Sequence, residues 1–203
     1  MSIAALLSHH GVKAPRYVTI DGEIVFDGVT ETASGPKHHS RGPVTRVPNH
    51  TFHGGDNLTD DAGDGTPWWS DPKKLEKHVQ AVELAFPNFR YTAPQGEISP
   101  SWTGEINTGR GRFMIQVSLR RDRGLPRVQL VSHQKLGRAT GRRFERSPHL
   151  YLNGDLCVAE TADWRRDEHT AATAIAWAAH WLACYTEWRF TMRWPVAGVN
   201  VAS

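Results

Sequence analysis

The stretch HTAATAIAWAAHWLACYTEWRF, residues 169–190, limits the possible folds of this chain more than any other. Trp177, Trp181, Tyr185 and Trp188 recur at i, i+4, i+8 and i+11, which is one face of a helix running from about 170 to 190. Alanines fill most of the remaining positions, so neighbours can approach from other sides and the helix is expected to be buried on more than one face. Asp167 or Thr170 can cap its start. Five of the eight tryptophans (Trp164, Trp177, Trp181, Trp188 and Trp194) lie in the last 40 of 203 residues, so this end is built on aromatic packing. With 39% hydrophobic and 22% charged residues, the chain can bury a core around such a helix.

The rest of the chain supplies the layers. YVTIDGEIVF (17–26) reads as a hairpin turning at Asp21-Gly22. Residues 28–67 are rich in Gly, Asp, Thr, Pro and His, and read as a long or flexible loop. Asp71 is a suitable N-cap and Pro72 suits the first helical position. Leu75, Val79, Val82 and Phe86 then mark one helical face, which Pro87 ends. SWTGEIN, RFMIQVSLR and PRVQLVSH alternate as strands. They turn inward Trp102, Gly104 and Ile106, then Phe113, Ile115, Val117 and Leu119, then Val128 and Leu130. Short links make them an antiparallel meander. QKLGRATGRRFERSP reads as a basic connection, with Arg138, Arg142, Arg143 and Arg146 on a solvated face that suits an acidic partner. The order is that of an α+β protein. No internal repeat is present.

A net charge of +3, not gathered into long runs, gives no support for nucleic-acid binding. Two cysteines do not make a disulfide framework, which points to a reducing cytoplasm. The short apolar run in MSIAALLSHHGVKAP lacks a basic flank and is a poor signal peptide. No stretch reaches the length of a membrane helix.

The chemistry concentrates in SPHLYLNGDLCVAE, residues 147–160. Cys157 follows the Asn153-Gly154 turn and lies eight residues after His149. Three roles fit it: nucleophile, metal ligand, or small buried residue. As a nucleophile it should sit in a partly exposed segment, with Leu156 anchored inward and Cys157 pointing out. His149 and Asn153 offer donors for the turn or for a developing oxyanion. As a metal ligand it would join His149, Glu160 and His169 in a closed zinc site, although the spacings match no standard close pair. His50 and His53, with His38-His39 upstream, read as solvated loop histidines. Cys184, mid-helix between Trp181 and Tyr185, reads as core.

GDLCV, preceded by a histidine and followed by a tryptophan and a long helix, resembles the active-site region of ubiquitin-conjugating enzymes. The resemblance is closer to the bacterial branch found in ubiquitin-like conjugation operons, where PHLY followed by G-x-LC recurs ahead of a helix like AWAAHWLACYTEWRFTMRWP. The first helix (71–86), SWTGEI and two further strands agree in order, and the match covers roughly residues 68–198. Several features depart from the family pattern. His-Leu-Tyr at 149–151 replaces the family's His-Pro-Asn, leaving Asn153 as a nearby substitute for its asparagine. The spacing from His149 to Cys157 is slightly short, and GLP (124–126) stands where a proline-rich stretch is usual.

The resemblance implies a UBC-like domain over residues 68–203, made of an N-terminal helix, a β-meander, an active-site loop and the Trp-rich C-terminal helix. An N-terminal extension, hairpin plus flexible loop, would occupy residues 1–67. Cys157 would carry a ubiquitin-like modifier as a thioester, taken from an activating enzyme-like protein and passed to an amine of a target protein. His149 would hold the turn or polarise the carbonyl. Asp163, Asp167 or His169 would act on the incoming lysine. No cofactor, membrane or nucleic acid is implied, and such operons are associated with antiphage defence. The alternatives are a zinc-binding accessory protein of the same operon type and a catalytically silent interaction module.

Overall fold

The computed structural model describes residues 15–54, 58, 66–132 and 135–196. The opening run MSIAALL and part of the segment read as a loop lie outside the described residues. The elements are β1 (Tyr17–Thr19), β2 (Ile24–Val25), β3 (Val29–Thr32), β4 (Gly35–His38), β5 (Gly42–Arg46), α1 (Pro72–Ala85), β6 (Arg90–Thr92), β7 (Ser101–Asn107), β8 (Arg112–Ser118), β9 (Arg127–Leu130), β10 (Gly137–Thr140), β11 (Arg143–Arg146) and α2 (Ala171–Thr191). This is the expected α+β class.

Helix α2 is the centre of the molecule. It packs against α1, against β8 and β9, and against β1 and β2. Trp177, Trp181, Tyr185 and Trp188 are buried, and so are most of the alanines between them. A helix contacted on so many sides needs the small residues to let its neighbours in. Thr170 is its cap, in a reciprocal pair with Thr173. Helix α1 begins at Pro72, with the Asp71 carboxylate accepting the Lys73 N–H at 3.1 Å. His78 of α1 is buried, and its Nδ1 accepts the N–H of Ala171, the first residue of α2. The two helices are therefore joined at a helix end whose donors would otherwise be unpaired.

Strands β6–β9 form an antiparallel meander in sequence order, with Trp102 opposite Val117 and Ile106 opposite Phe113. The inward residues are those that the alternation marks. Residues 29–46 correct the reading of residues 28–67 as a loop. They contain β3, β4 and β5, which join β1 and β2 in a five-stranded sheet ordered β2-β1-β5-β4-β3. Val18, Val47 and Phe52 belong to the same buried cluster as α2 and the meander. The basic connection is likewise a hairpin, β10–β11, with Gly137 opposite Arg146. The Tyr185 hydroxyl fixes it to α2, accepting the Gly137 N–H at 3.2 Å and donating to the Gly137 carbonyl at 3.3 Å.

Trp181 tests this core. Its ring is fully buried and its indole N–H donates to the His149 carbonyl at 2.9 Å. Trp181→Ala is expected to cost about 3–5 kcal/mol in chemical denaturation, from lost burial and an incompletely closed cavity. Trp181→Phe keeps most of the packing and loses the hydrogen bond, at about 1–2 kcal/mol more than packing alone would cost.

Candidate active site

Residues 149–157 form a tight hairpin. Leu150 and Leu156 are bridge partners, the Tyr151 N–H donates to Asp155 O at 3.0 Å, and the Cys157 N–H donates to His149 O at 3.1 Å. Gly154 has φ of +95°, which the turn requires and which glycine adopts freely. The return arm is tied to the meander. Leu156 N–H donates to Val128 O at 2.9 Å, and Gln129 donates to the Asp155 carboxylate at 3.0 Å. Asn153 donates to the Asp155 carboxylate at 2.8 Å and accepts the Asp155 N–H at 3.0 Å, so its side chain is spent on the turn.

This register decides what can reach the thiol. Residues 150 and 156 are opposite each other, so 149 lies opposite 157 and 151 is diagonal to it on the same face. The thiol points to Ala159 O at 3.7 Å. Burial pushes the Cys157 thiol up, Tyr151 and the His53 backbone oppose that shift, and the Glu160 carboxylate adds to it. Burial also pushes the Tyr151 phenol well up, so it stays a neutral donor.

His149 sits where the sequence places it, beside the cysteine, but its ring turns elsewhere. It has φ of +56°, a left-handed conformation uncommon for a residue with a side chain. Its imidazole packs on Phe52 and Trp194, and its Nδ1 donates to His53 O at 3.0 Å. Burial is the main cause that lowers its pKa.

Cys157 is fully buried, and so is Leu156. The expectation of a partly exposed thiol with only Leu156 turned inward is therefore corrected. The cause is the segment 51–54, which lies across the hairpin. The Thr51 N–H donates to the Asp163 carboxylate at 2.7 Å, and Glu160 N–H donates to Thr51 O at 2.9 Å. His53 Nδ1 stands 3.6 Å from Glu160. A Cβ added at Gly54 would lie 3.3 Å from His149 Cα, so the segment runs directly over the backbone of the site.

His169 is not gathered with these residues. Its ring lies against Trp164 and Trp177, and its Nδ1 accepts the Arg165 N–H at 3.1 Å. Asp167 is exposed and within 3.9 Å of Arg123. Among the described residues no three His, Cys, Asp or Glu side chains are placed to hold a metal ion. The alternative zinc set of His149, Cys157, Glu160 and His169 thus does not converge. Both cysteines are free.

His50 corrects a second expectation, since it is not a solvated loop residue. One choice of tautomers satisfies a whole chain of bonds. His50 Nδ1 donates to Pro48 O at 2.8 Å, His180 Nδ1 donates to His50 Nε2 at 3.1 Å, and Arg16 donates to His180 Nε2 at 3.4 Å. Each imidazole is neutral in this arrangement. Sequence reasoning missed the pair because 130 residues separate its members.

The family model described as Type II CBASS E2 protein matches residues 78–201, more than half of the chain, and the chain belongs to that family. This is a family of conjugating-enzyme-like proteins of CBASS antiphage defence. No curated protein and no solved structure matches the chain. The matched region holds the whole 149–157 hairpin and α2, whereas β1–β5 and the covering segment 51–54 lie outside it. Among the described residues no helix is long and apolar enough to cross a membrane.

Two outcomes follow from this geometry. His50 and His78 are each held down to about 4 by burial, against an ordinary 6.5. The unfolded chain then binds more protons than the folded one between those values. Stability measured by denaturant titration should be flat between about pH 7 and 8 and fall as pH drops from about 6.5 toward 4. His50→Gln should flatten part of that slope. Separately, alkylation of native Cys157 should be slow and limited by movement of the cover. Asp163→Asn, which weakens the acceptor for the Thr51 N–H, should speed it by roughly tenfold while buried Cys184 stays protected.

Proposed function

We propose that the chain is a ubiquitin-like-protein conjugating enzyme that carries its modifier as a thioester on Cys157 and transfers it to an amine of a target protein. The position of Cys157 carries this reading. It lies on the return arm of a hairpin fixed to the meander, inside the family-matched residues and directly after the Asn153-Gly154 turn. An activating enzyme-like protein supplies the modifier as a thioester. The Cys157 thiol gives up its proton, its sulfur attacks the acyl carbon, and the donor's thiolate leaves. The target amine then attacks the same carbon, the C–S bond breaks, and an amide forms.

In this reading His149 is a positioning residue. Its carbonyl accepts from both Cys157 N–H and Trp181, and its ring holds the cover through His53 O. Asn153 shapes the turn, and His169 belongs to the entry of α2. Glu160, whose charge acts on the thiol, is the group we place to take the amine's proton. Asp163 holds the cover, which must lift before the modifier's C-terminus reaches the sulfur.

The test is incubation with the modifier and activating protein encoded alongside the chain, read on non-reducing gels. Wild type should form an adduct that reductant removes. Cys157→Ala should form none, and Cys157→Ser should form a weaker adduct that survives reductant. A normal reductant-sensitive adduct on Cys157→Ala would overturn the assignment, whereas Cys184→Ala should behave as wild type.

A further inference from the structure

We propose that the β10–β11 ribbon is a docking surface for an acidic face of the modifier, which it orients beside the cysteine that bonds the modifier's C-terminus; the proposal deepens the conjugating-enzyme reading above and rests on it.

The positive charge of the chain is concentrated here. Residues 135–146 hold one lysine, four arginines and one glutamate, a net charge of +4. The whole chain carries +3, so everything outside these residues is slightly acidic, at −1. The sequence spaces these charges out, and strand pairing brings them together. Arg138, Thr140, Arg143 and Glu145 share one face of the ribbon, and Arg142 stands at its turn. Surface arginines elsewhere have carboxylate partners, as in Arg41–Glu23 at 3.0 Å and Arg112–Glu105 at 3.4 Å. Among the described residues, Arg138, Arg142 and Arg143 have none, although Glu145 is opposite Arg138 in the register.

A two-stranded ribbon standing alone is marginal, but this one is fixed at its base. Leu136 is buried, and its carbonyl accepts the Ser147 N–H at 3.1 Å. The Tyr185 hydroxyl holds both backbone polar groups of Gly137. The Phe144 ring lies over Gly137, so closely that a Cβ there would meet it at 2.3 Å. Beyond that base all four residues of β11 are exposed. The ribbon is also joined to the reactive hairpin, because Arg146 donates to the carbonyls of Tyr151 and Leu152 in the turn that precedes Cys157. Leu152 is 65% exposed and Phe144 51%, so apolar side chains flank the arginines. Arginine and aromatic side chains are enriched in protein interfaces.

Magnitude selects the partner. An exposed ion pair is worth at most about fivefold in an equilibrium, so three of them together give about tenfold to a hundredfold. That is too little to hold a freely diffusing protein. It suffices for a partner already bonded at Cys157, because a tether supplies an effective concentration of about millimolar. The modifier is the polypeptide so tethered. Before loading, the same charges steer it toward the site, an effect that salt screens.

The experiment uses the full 15N-labelled chain with Cys157→Ala, so that no adduct forms, and the purified modifier encoded alongside it as the probe. At low salt the modifier should shift the amides of residues 137–146 and 151–152, and about 0.5 M salt should abolish the shifts. The triple variant Arg138→Glu, Arg142→Glu, Arg143→Glu should show none. The corresponding Arg→Gln triple, which only removes charge, should fall between. Lys37→Glu, Arg46→Glu, Arg90→Glu makes the same change of charge at exposed positions elsewhere and should behave as its parent. In chains that keep Cys157, reversal of the ribbon should slow loading about tenfold at low salt, and high salt should close the gap.

Ribbon amides that stay still when the modifier is added overturn the proposal. So does an equal effect of the control triple. Slower loading without those shifts assigns the ribbon to the activating protein instead, and tighter binding of single-stranded oligothymidylate than of the modifier makes it a nucleic-acid surface; either result also overturns the proposal. The titration needs no thioester. If wild type never forms one, the nucleophile reading fails and orientation for transfer falls with it, whatever the amides show. If the thioester forms but the amides do not move, only the docking proposal fails.

Discussion

One carbonyl oxygen organises this molecule. His149 O accepts the Cys157 N–H from across the turn and the Trp181 indole N–H from the central helix. The first bond closes the hairpin that bears the cysteine. The second fixes that hairpin to the most buried element of the fold. Aiming the carbonyl both ways takes a left-handed backbone at a residue with a side chain, which costs about 1–3 kcal/mol. Two buried hydrogen bonds and the packing of the His149 ring against Phe52 and Trp194 offset that strain. The tryptophan-rich helix therefore does more than fill a core, because it anchors the turn that bears Cys157.

How much of this was legible in the sequence depends on the range of the interaction that fixes each part. The strands of the meander and both helices follow from local periodicity, as Phe113, Ile115, Val117 and Leu119 show by facing inward. Strands β3–β5 were illegible because their Gly, Pro, Thr and His content is that of a loop, and pairing alone makes them a sheet. At the site, the Asn153-Gly154 turn and the nearness of His149 to Cys157 could be read directly. The direction of the His149 ring could not, since it follows from a positive φ set by Trp181, 32 residues away. The burial of Cys157 depends on residues about a hundred positions earlier.

The buried histidines show how the first sheet and the central helix are locked together. Arg16 leads into β1, His50 precedes the covering segment, and His180 lies in the middle of α2. One chain of hydrogen bonds runs through all three and ends at Pro48 O. Adding a proton to either ring removes an acceptor and puts two donors face to face, with Arg16 close by. The link is strong while both rings are neutral and turns repulsive once one is charged.

The cover over Cys157 also bears on the survival of the thiol. Oxidation of cysteine to sulfenic and higher acids follows thiolate character and access. A sulfur closed off from solvent, with its ionisation pushed up by burial, presents neither. While segment 51–54 is down, the cysteine is a poor target for peroxide and for disulfide exchange with small thiols. The strap over Cys157 thus acts as a chemical shield that keeps its sulfur reduced.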